Sequence, residues 1–330
     1  MRILVTGASG FVGSLLIGSL ARGSHDVRAF GREPERIRLA LEALLPSAQA
    51  ARGASAEPPR TLELAAGDAV SGAGLPEALE GIEVAYYLIH SMERAADSEA
   101  FDERERRAAD NFAAASIAAG VKRIVYLGGL VPRWDGSSDA HSASRHLLSR
   151  LEVERTLLQA LPSSLALRAS IVIGARSRSF RLLVRLVERM PVVPLPGWQR
   201  FRTQPIDSRD VIAMLVAAAG LEGPRGALDI AGPDTLSYGE MVRRIAELML
   251  VGRASVNLRP TIRSISGRFA AAIAGEDPQL VSALMEGLKG DLLADPAEAA
   301  ALLDVRLHAF DSAVEHALAE WESSEPLAAR

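Results

Sequence analysis

Three glycines recur at a three-residue spacing in Thr6-Gly7-Ala8-Ser9-Gly10-Phe11-Val12-Gly13, directly after the apolar run Arg2-Ile3-Leu4-Val5. Where a strand turns into a helix, that spacing suits a dinucleotide pyrophosphate. Gly7 takes the tight turn, Gly10 lets the phosphates approach bare backbone, and Gly13 lets helix and strand pack closely. The free N–H groups and positive dipole end of a helix opening near Phe11 then face the negative charge. The spacing is G-x-x-G-x-x-G rather than G-x-G-x-x-G, so context has to carry the reading. The amphipathic series Phe11, Leu15, Leu16, Leu20 and the second strand-like run Val27-Arg28-Ala29-Phe30 supply it, against the alternative of a glycine turn that binds nothing.

A second chemical feature sits at the end of that second strand, which reads Ala29-Phe30-Gly31-Arg32. A carboxylate there would hold both ribose hydroxyls and repel a 2′-phosphate. None immediately precedes Arg32, and a guanidinium suits a 2′-phosphate through charge-assisted hydrogen bonds. NADP(H) is therefore expected ahead of NAD(H). The competing explanation makes Arg32 a solvated loop residue paired with Glu33 or Glu35.

The elements that must position these residues alternate in the first half of the chain, as parallel βαβ units do. Strands are expected at Arg2–Val5, Val27–Phe30, Leu62–Ala65, Val84–Ile89, Ile124–Leu127 and Leu165–Ala169, with helices notably over Ala100–Ala119 and Ser142–Ala160. The stretch from Glu33 to Arg60 reads as a helix and a loop. Beyond Gly174 the alternation loosens: a helix over Phe180–Arg189, a rigid turn-rich passage over Pro191–Trp198, helices over Asp210–Gly220 and Tyr238–Leu250 around a short strand Ala227–Ala231, and helix from Pro278 to Trp321 with a break at Asp295-Pro296. The expected fold is α/β, a Rossmann-type doubly wound parallel sheet with a smaller, mostly helical C-terminal substrate lobe. Residues 1–173 would form the core and 174–330 the lobe, with 206–232 returning to the core.

Composition narrows the function classes. A chain of 330 residues with 48% apolar and 24% charged residues is ordinary globular material. A net charge of −4 gives no basic field for nucleic acid. Without cysteine there is no thiol chemistry or disulfide, and the six scattered histidines show no metal-ligand spacing. No apolar run is long enough to span a bilayer, and no signal peptide is visible, so a cytoplasmic protein without nucleic-acid or membrane partners is expected.

The glycine motif, Val121-Lys122-Arg123-Ile124-Val125-Tyr126-Leu127-Gly128-Gly129-Leu130 and Leu167-Arg168-Ala169-Ser170-Ile171-Val172-Ile173-Gly174 occur in order. With them, the chain resembles the extended and atypical short-chain dehydrogenase/reductases, most of all the NmrA-like and YbjT-like NAD(P)-binding proteins. Further marks are Tyr87-Leu88-Ile89-His90-Ser91-Met92, Gln204-Pro205-Ile206-Asp207-Ser208-Arg209-Asp210-Val211 and Ala231-Gly232-Pro233-Asp234. The resemblance implies that Gly7, Ser9, Gly10, Phe11, Val12 and Gly13, with Ala8, hold the pyrophosphate. It implies that Asp68, with Ala69, meets the adenine and that Leu88, Ile89 and His90 line the ribose side. Gly128, Gly129, Ala169, Ser170 and Ile171 should border the nicotinamide.

Reductases of that superfamily use a Tyr-x-x-x-Lys pair on the helix after the fifth strand, with Ser or Thr at the strand's end; the lysine lowers the tyrosine pKa and the tyrosine moves the proton. Ser142–Ala160 holds neither tyrosine nor lysine, and the whole chain has only Lys122 and Lys289. Registering the helix on its acidic residues puts His146 at the tyrosine position, Arg150 at the lysine position, and Gly128 or Gly129 at the serine position. A four-residue spacing keeps His146 and Arg150 on one helical face. An imidazole can act as an acid near neutral pH, while a guanidinium anchors hydroxyls or anions and relays no proton. The bland alternative leaves His146 a polar helix residue and Arg150 a cofactor clamp. The Arg176–Arg181 run reads as an anion site or a plain helix cap, and Trp198 and Arg202 as cleft walls or packing residues.

The expectation is an NADP(H)-binding oxidoreductase acting on a small carbonyl or enone substrate, with a homodimer as the analogous assembly. Sugar-nucleotide epimerisation fits less well, because it asks one tyrosine to serve a reversible oxidation. The alternative from another class is a non-catalytic NAD(P)H-sensing regulatory protein.

Overall fold

The computed structural model describes residues 1–43, 61–89, 98–131, 145–190, 192–195, 197–223, 226–252, 254–257, 290–325 and 327, with backbone alone at 98–101, 145–146, 192–195, 197–198 and 254–257. Its centre is a seven-stranded parallel sheet flanked by helices, a Rossmann-type arrangement, built from β1 (Arg2–Thr6), β2 (Asp26–Gly31), β3 (Leu62–Ala66), β4 (Val84–Tyr87), β5 (Arg123–Gly129), β6 (Leu165–Ala169) and β11 (Gly226–Ile230). The spatial order is β11-β6-β5-β4-β1-β2-β3. The order reverses at β1, whose two neighbours are β2 and β4, and a ligand crevice opens at the carboxyl ends of strands at such a switch point. Central strands covered on both faces should be continuously apolar, and β4 is buried at every residue whereas the edge strand β3 exposes Leu62 and Leu64.

Helices α1 (Phe11–Arg22), α2 (Pro34–Glu42), α3 (Leu75–Leu79), α4 (Ser98–Ala118) and α5 (Arg145–Ala160) alternate with these strands. The chain divides into two compact units, the first comprising Met1–Gly128, Leu148–Leu167 and Ile212–Leu228, the second Gly129–Leu147, Arg168–Val211 and Asp229–Arg330. The first unit is cored by Phe30, Tyr87, Phe112 and Tyr126, with Tyr87 edge-on to Phe112 at 5.1 Å between ring centroids. In the second unit α6 (Arg178–Arg189), α8 (Tyr238–Leu248) and α10 (Phe310–Glu322) pack Phe180, Tyr238, Phe310 and Trp321 together. Helix α8 starts at a capping box, in which Ser237 accepts from the Glu240 amide and Glu240 accepts from the Ser237 amide. No described helix is long and apolar enough to cross a membrane.

Three element boundaries need correcting. The fourth strand ends at Tyr87, not Ile89, because the Leu88 amide leaves the ladder to donate to the Thr6 hydroxyl (3.1 Å). The passage expected as a turn-rich stretch over Pro191–Trp198 contains a strand, β8 (Val192–Leu195), paired in parallel with β13 (Ala254–Asn257). Pro194 is tolerated there because a two-stranded ribbon leaves each strand an open side that needs no donor. The helix expected from Pro278 to Trp321 is two helices in its described part, α9 (Pro296–Leu302) and α10, separated by a left-handed residue at Asp304 (φ 51°) and an extended run to Ala309. Residues 278–289 and 142–144 lie outside the described residues, as does most of the connector after α2.

Candidate functional site

The β1–α1 turn is closed by backbone packing. Gly7 is left-handed (φ 63°), and a Cβ on it would stand 2.5 Å from the Leu88 carbonyl oxygen. A Cβ on Gly13 would stand 2.3 Å from the Gly7 carbonyl oxygen, so α1 rests directly on the turn. At Gly10 the nearest atom is that same oxygen, at 3.0 Å, and the Gly10 amide donates to it (2.9 Å). Gly10 is also the N-cap of α1; no side chain caps the helix and its first turn holds no acid. Among the described residues, the first-turn N–H groups of α1 thus have no side-chain acceptor, and the N-cap Gly10 is exposed. Thr6 ties this edge together: its hydroxyl donates to the Tyr86 carbonyl (3.0 Å) and accepts from the Leu88 amide. Within the run Gly7, Ala8, Ser9, Gly10, Phe11, Val12 and Gly13, Gly7 thus packs on Leu88 and Ile89, and Gly13 packs on Gly7 and Ala8.

Asp68 and Ala69 follow β3 in a tight loop. The Gly67 amide donates to the Gly31 carbonyl (3.1 Å), which ties the start of this loop to the end of β2. One Asp68 carboxylate oxygen accepts from the Val70 amide (2.9 Å). Arg32 is exposed, and the carboxylates that would have competed for it are engaged elsewhere: Glu33 pairs with Arg36 and Glu35 with Arg38. A shallow depression edged by Arg28, Glu77 and Ala78 is a poor binding site by comparison, since the Arg28 guanidinium is already taken by Glu63 and the carbonyls of Glu77, Ala78 and Glu80.

Gly128, the next-to-last residue of β5, lies beside Tyr126, whose ring edge would be 2.9 Å from a Cβ at Gly128. A serine would therefore have to displace an aromatic ring, which accounts for a glycine at this strand end. In the second unit, beyond Gly129, the Leu130 amide donates to the Ala169 carbonyl (2.9 Å), the Ser170 amide to Ile230 (3.2 Å), and the Ser170 hydroxyl to the Gln204 carbonyl. The Ile171 carbonyl accepts from Ile206 (2.9 Å). The polar groups of Ala169–Ile171 are largely spent on neighbouring chain, so what this run offers a ligand is mainly an apolar edge.

The chain's four tyrosines are all buried: Tyr86, Tyr87, Tyr126 and Tyr238. Burial pushes every one of their hydroxyls to a higher pKa, Tyr126 to about 12, with the Arg150 charge pulling it down and Glu105 and Glu154 pushing it up. No tyrosine is thus placed to exchange a proton near neutral pH. The charges of Arg150, Glu105 and Glu154 all act on Tyr126, and the Ser149 hydroxyl on α5 donates to the Glu105 carboxylate on α4 (3.1 Å). His90 lies outside the described residues, and so does the side chain of His146. Sequence reasoning did not single out Thr6, Glu105 or Tyr126, because each acts through a contact made only after strands and helices are assembled.

The sequence profile of the NmrA-like family matches residues 1–190. A Streptomyces antibioticus protein described as a probable dTDP-4,6-dihydroxy-2-methyloxan-3-one 4-ketoreductase is 25% identical over 282 residues, covering 84% of this chain and 88% of that one. Among solved structures, gox2253 superposes with a TM-score of 0.74 at 20% identity over 99% of both chains. The UDP-glucuronic acid 4-epimerase of Bacillus cereus, solved with UDP-glucuronic acid and NAD, superposes with a TM-score of 0.69 at 17% identity, covering 98% of this chain and 99% of that one.

Proposed function

The chain belongs to the NmrA-like family, and on that premise we propose that it binds NADP(H) and works as an atypical short-chain dehydrogenase/reductase on a ketone. The observation that carries this reading is the β1–α1 turn, packed too closely on backbone for any Cβ at Gly7 or Gly13 and opening on a helix with no side-chain cap. These residues fit a pyrophosphate, and the exposed Arg32, with glycine rather than a carboxylate before it, fits a 2′-phosphate. The Bacillus cereus epimerase of the same fold is bound to NAD, so the preference for NADP(H) rests on Arg32 alone.

When bound, the reduced nicotinamide supplies the hydride that adds to the carbonyl carbon. The chain's task is to place the ketone and deliver a proton to its oxygen. With the tyrosines buried, His146 is the group on α5 for that proton, its ring N–H donating to the carbonyl oxygen. Arg150, one helical turn on, is the cation whose charge acts on Tyr126 and would anchor a hydroxyl or anionic group of the ligand. The ketoreductase description of the Streptomyces relative supports reduction of a ketone carried on a nucleotide-linked sugar as the first substrate class to screen. Epimerisation is disfavoured by the burial of every tyrosine, whatever the fold shared with the epimerase.

A second reading, a non-catalytic NAD(P)H sensor, is favoured by the absence of the Tyr-x-x-x-Lys pair. Calorimetric titration with NADPH and NADH at one salt concentration, followed by turnover on nucleotide-linked keto sugars, separates the cases. Preferential NADPH binding with turnover supports the reductase. Binding without turnover supports the sensor, and no binding of either dinucleotide overturns both.

A further inference from the structure

We infer that Asn111, which stands on α4 and belongs to no motif, is the positioning residue that sets the adenosine end of the cofactor site; the inference rests on the dinucleotide reading above. The loop after β3 has to turn back sharply at Asp68, one residue after Gly67 is tied to the end of β2. It does so through the Gly72 amide donating to the Asp68 carbonyl (2.8 Å), the Asp68 amide donating to Ala73 (2.9 Å), and left-handed backbone at Gly72 and Gly74. Those bonds close the turn on itself. They do not tie it to the rest of the unit.

Asn111 does. Its side-chain nitrogen donates both to the Ala69 carbonyl (3.0 Å) and to the Val70 carbonyl (2.9 Å). Two carbonyl acceptors need two N–H donors, which fixes the orientation of the amide and makes asparagine chemically specific here. A carboxylate of the same shape would set one oxygen, in place of the side-chain nitrogen, against both carbonyls. Gly72 is required here by its left-handed backbone (φ 80°) rather than by crowding against Asn111. Through these bonds the peptides next to Asp68 are held by α4, while the Gly67 amide holds the loop to Gly31, one residue before Arg32. Asn111 thus governs where the adenine-facing loop stands without touching the ligand.

The test compares wild type with N111D for binding of NADPH, NADH, ADP and reduced nicotinamide mononucleotide, each well below the variant's melting temperature. Losing two hydrogen bonds should weaken NADPH, NADH and ADP by a common factor of about ten. The NADPH-to-NADH ratio should hold, and so should the affinity for the mononucleotide, which lacks adenosine. Wild-type affinity for ADP in N111D would overturn the inference, and so would an equal loss for the mononucleotide, which marks a merely structural residue. If N111D does not fold, N111A, which removes the donors without adding charge, carries the same expectations. Failure of the wild-type protein to bind any of the adenosine ligands would instead overturn the dinucleotide reading itself.

Discussion

The β1–α1 turn and the 146–150 stretch of α5 are the two places where this chain should do its chemistry, and they are built on opposite principles. In the turn the proposed work would fall to backbone N–H groups, and the residue types are dictated by backbone crowding: 2.5 Å from Gly7 to Leu88 and 2.3 Å from Gly13 to Gly7, measured from the Cβ each glycine lacks. On α5 the proposed work would fall to side chains carried by a helix, a scaffold that sets no residue type through its own backbone geometry. Phosphate binding by backbone is therefore readable from a glycine spacing. Proton transfer by side chains is not, because a family's usual pair can be replaced without disturbing the helix that carried it.

The sharpest way to break that contrast is G13A. Its Cβ would be driven into the Gly7 carbonyl, with backbone on both sides and no flexible side chain to yield. We expect a stability loss on the order of 3 kcal/mol and loss of NADPH affinity beyond about a hundredfold, read by thermal melting and calorimetry. Near-native values for both would show that the turn is not locked as described. On the other side of the comparison, H146A should leave melting temperature and NADPH affinity unchanged while slowing ketone turnover by about 100- to 10,000-fold, the usual worth of a general acid. Undiminished turnover would take the proton away from His146.

The same division explains how much was legible beforehand. The parallel sheet could be read because buried strands such as Val84–Tyr87 are apolar throughout and the connecting helices are long. Where that strand stops could not, since it depends on the Thr6 hydroxyl reaching across from β1. The strand at Val192–Leu195 was hidden because its proline argues for a turn and its partner, Ala254–Asn257, lies some sixty residues on. The glycines of the site announce themselves by spacing, whereas Asn111 and Tyr126 look like any polar helix residue and any strand aromatic until the Ala69–Val70 carbonyls and the Gly128 backbone are set beside them.

Arg32 occupies the middle ground, a side chain whose place is set by a backbone feature, the end of β2. R32A should weaken NADPH by roughly 10- to 100-fold, the worth of one or two charge-assisted hydrogen bonds, and leave NADH within about twofold. Equal losses for the two cofactors would sink the 2′-phosphate argument and return Arg32 to the solvated surface.

The smallest effect belongs to a side-chain network with no backbone lock, between α6 and the end of α10. There Trp321 is flanked by the Arg181 and Arg185 guanidinium groups, at 4.3 and 4.7 Å from its ring centroid. Glu325 accepts from the Trp321 indole N–H (3.1 Å), from Arg185 and from Arg181 (3.4 Å). The indole hydrogen bond first, and the Arg185 hydrogen bond after it, hold the Glu325 carboxyl below the ordinary carboxylate range. A folded-state pKa lower than the unfolded one means that the unfolded chain binds the proton more readily. The stabilisation is therefore complete above the unfolded value of about 4.3 and is lost as pH falls through the depressed folded value. Because Glu325 is 47% exposed, solvent screening keeps its worth under about 1 kcal/mol. E325Q should accordingly lower the melting temperature by a few degrees at most at pH 7, and the gap to wild type should close in acid. A gap that persisted unchanged at the lowest pH would assign the effect to packing around Trp321 rather than to the charge.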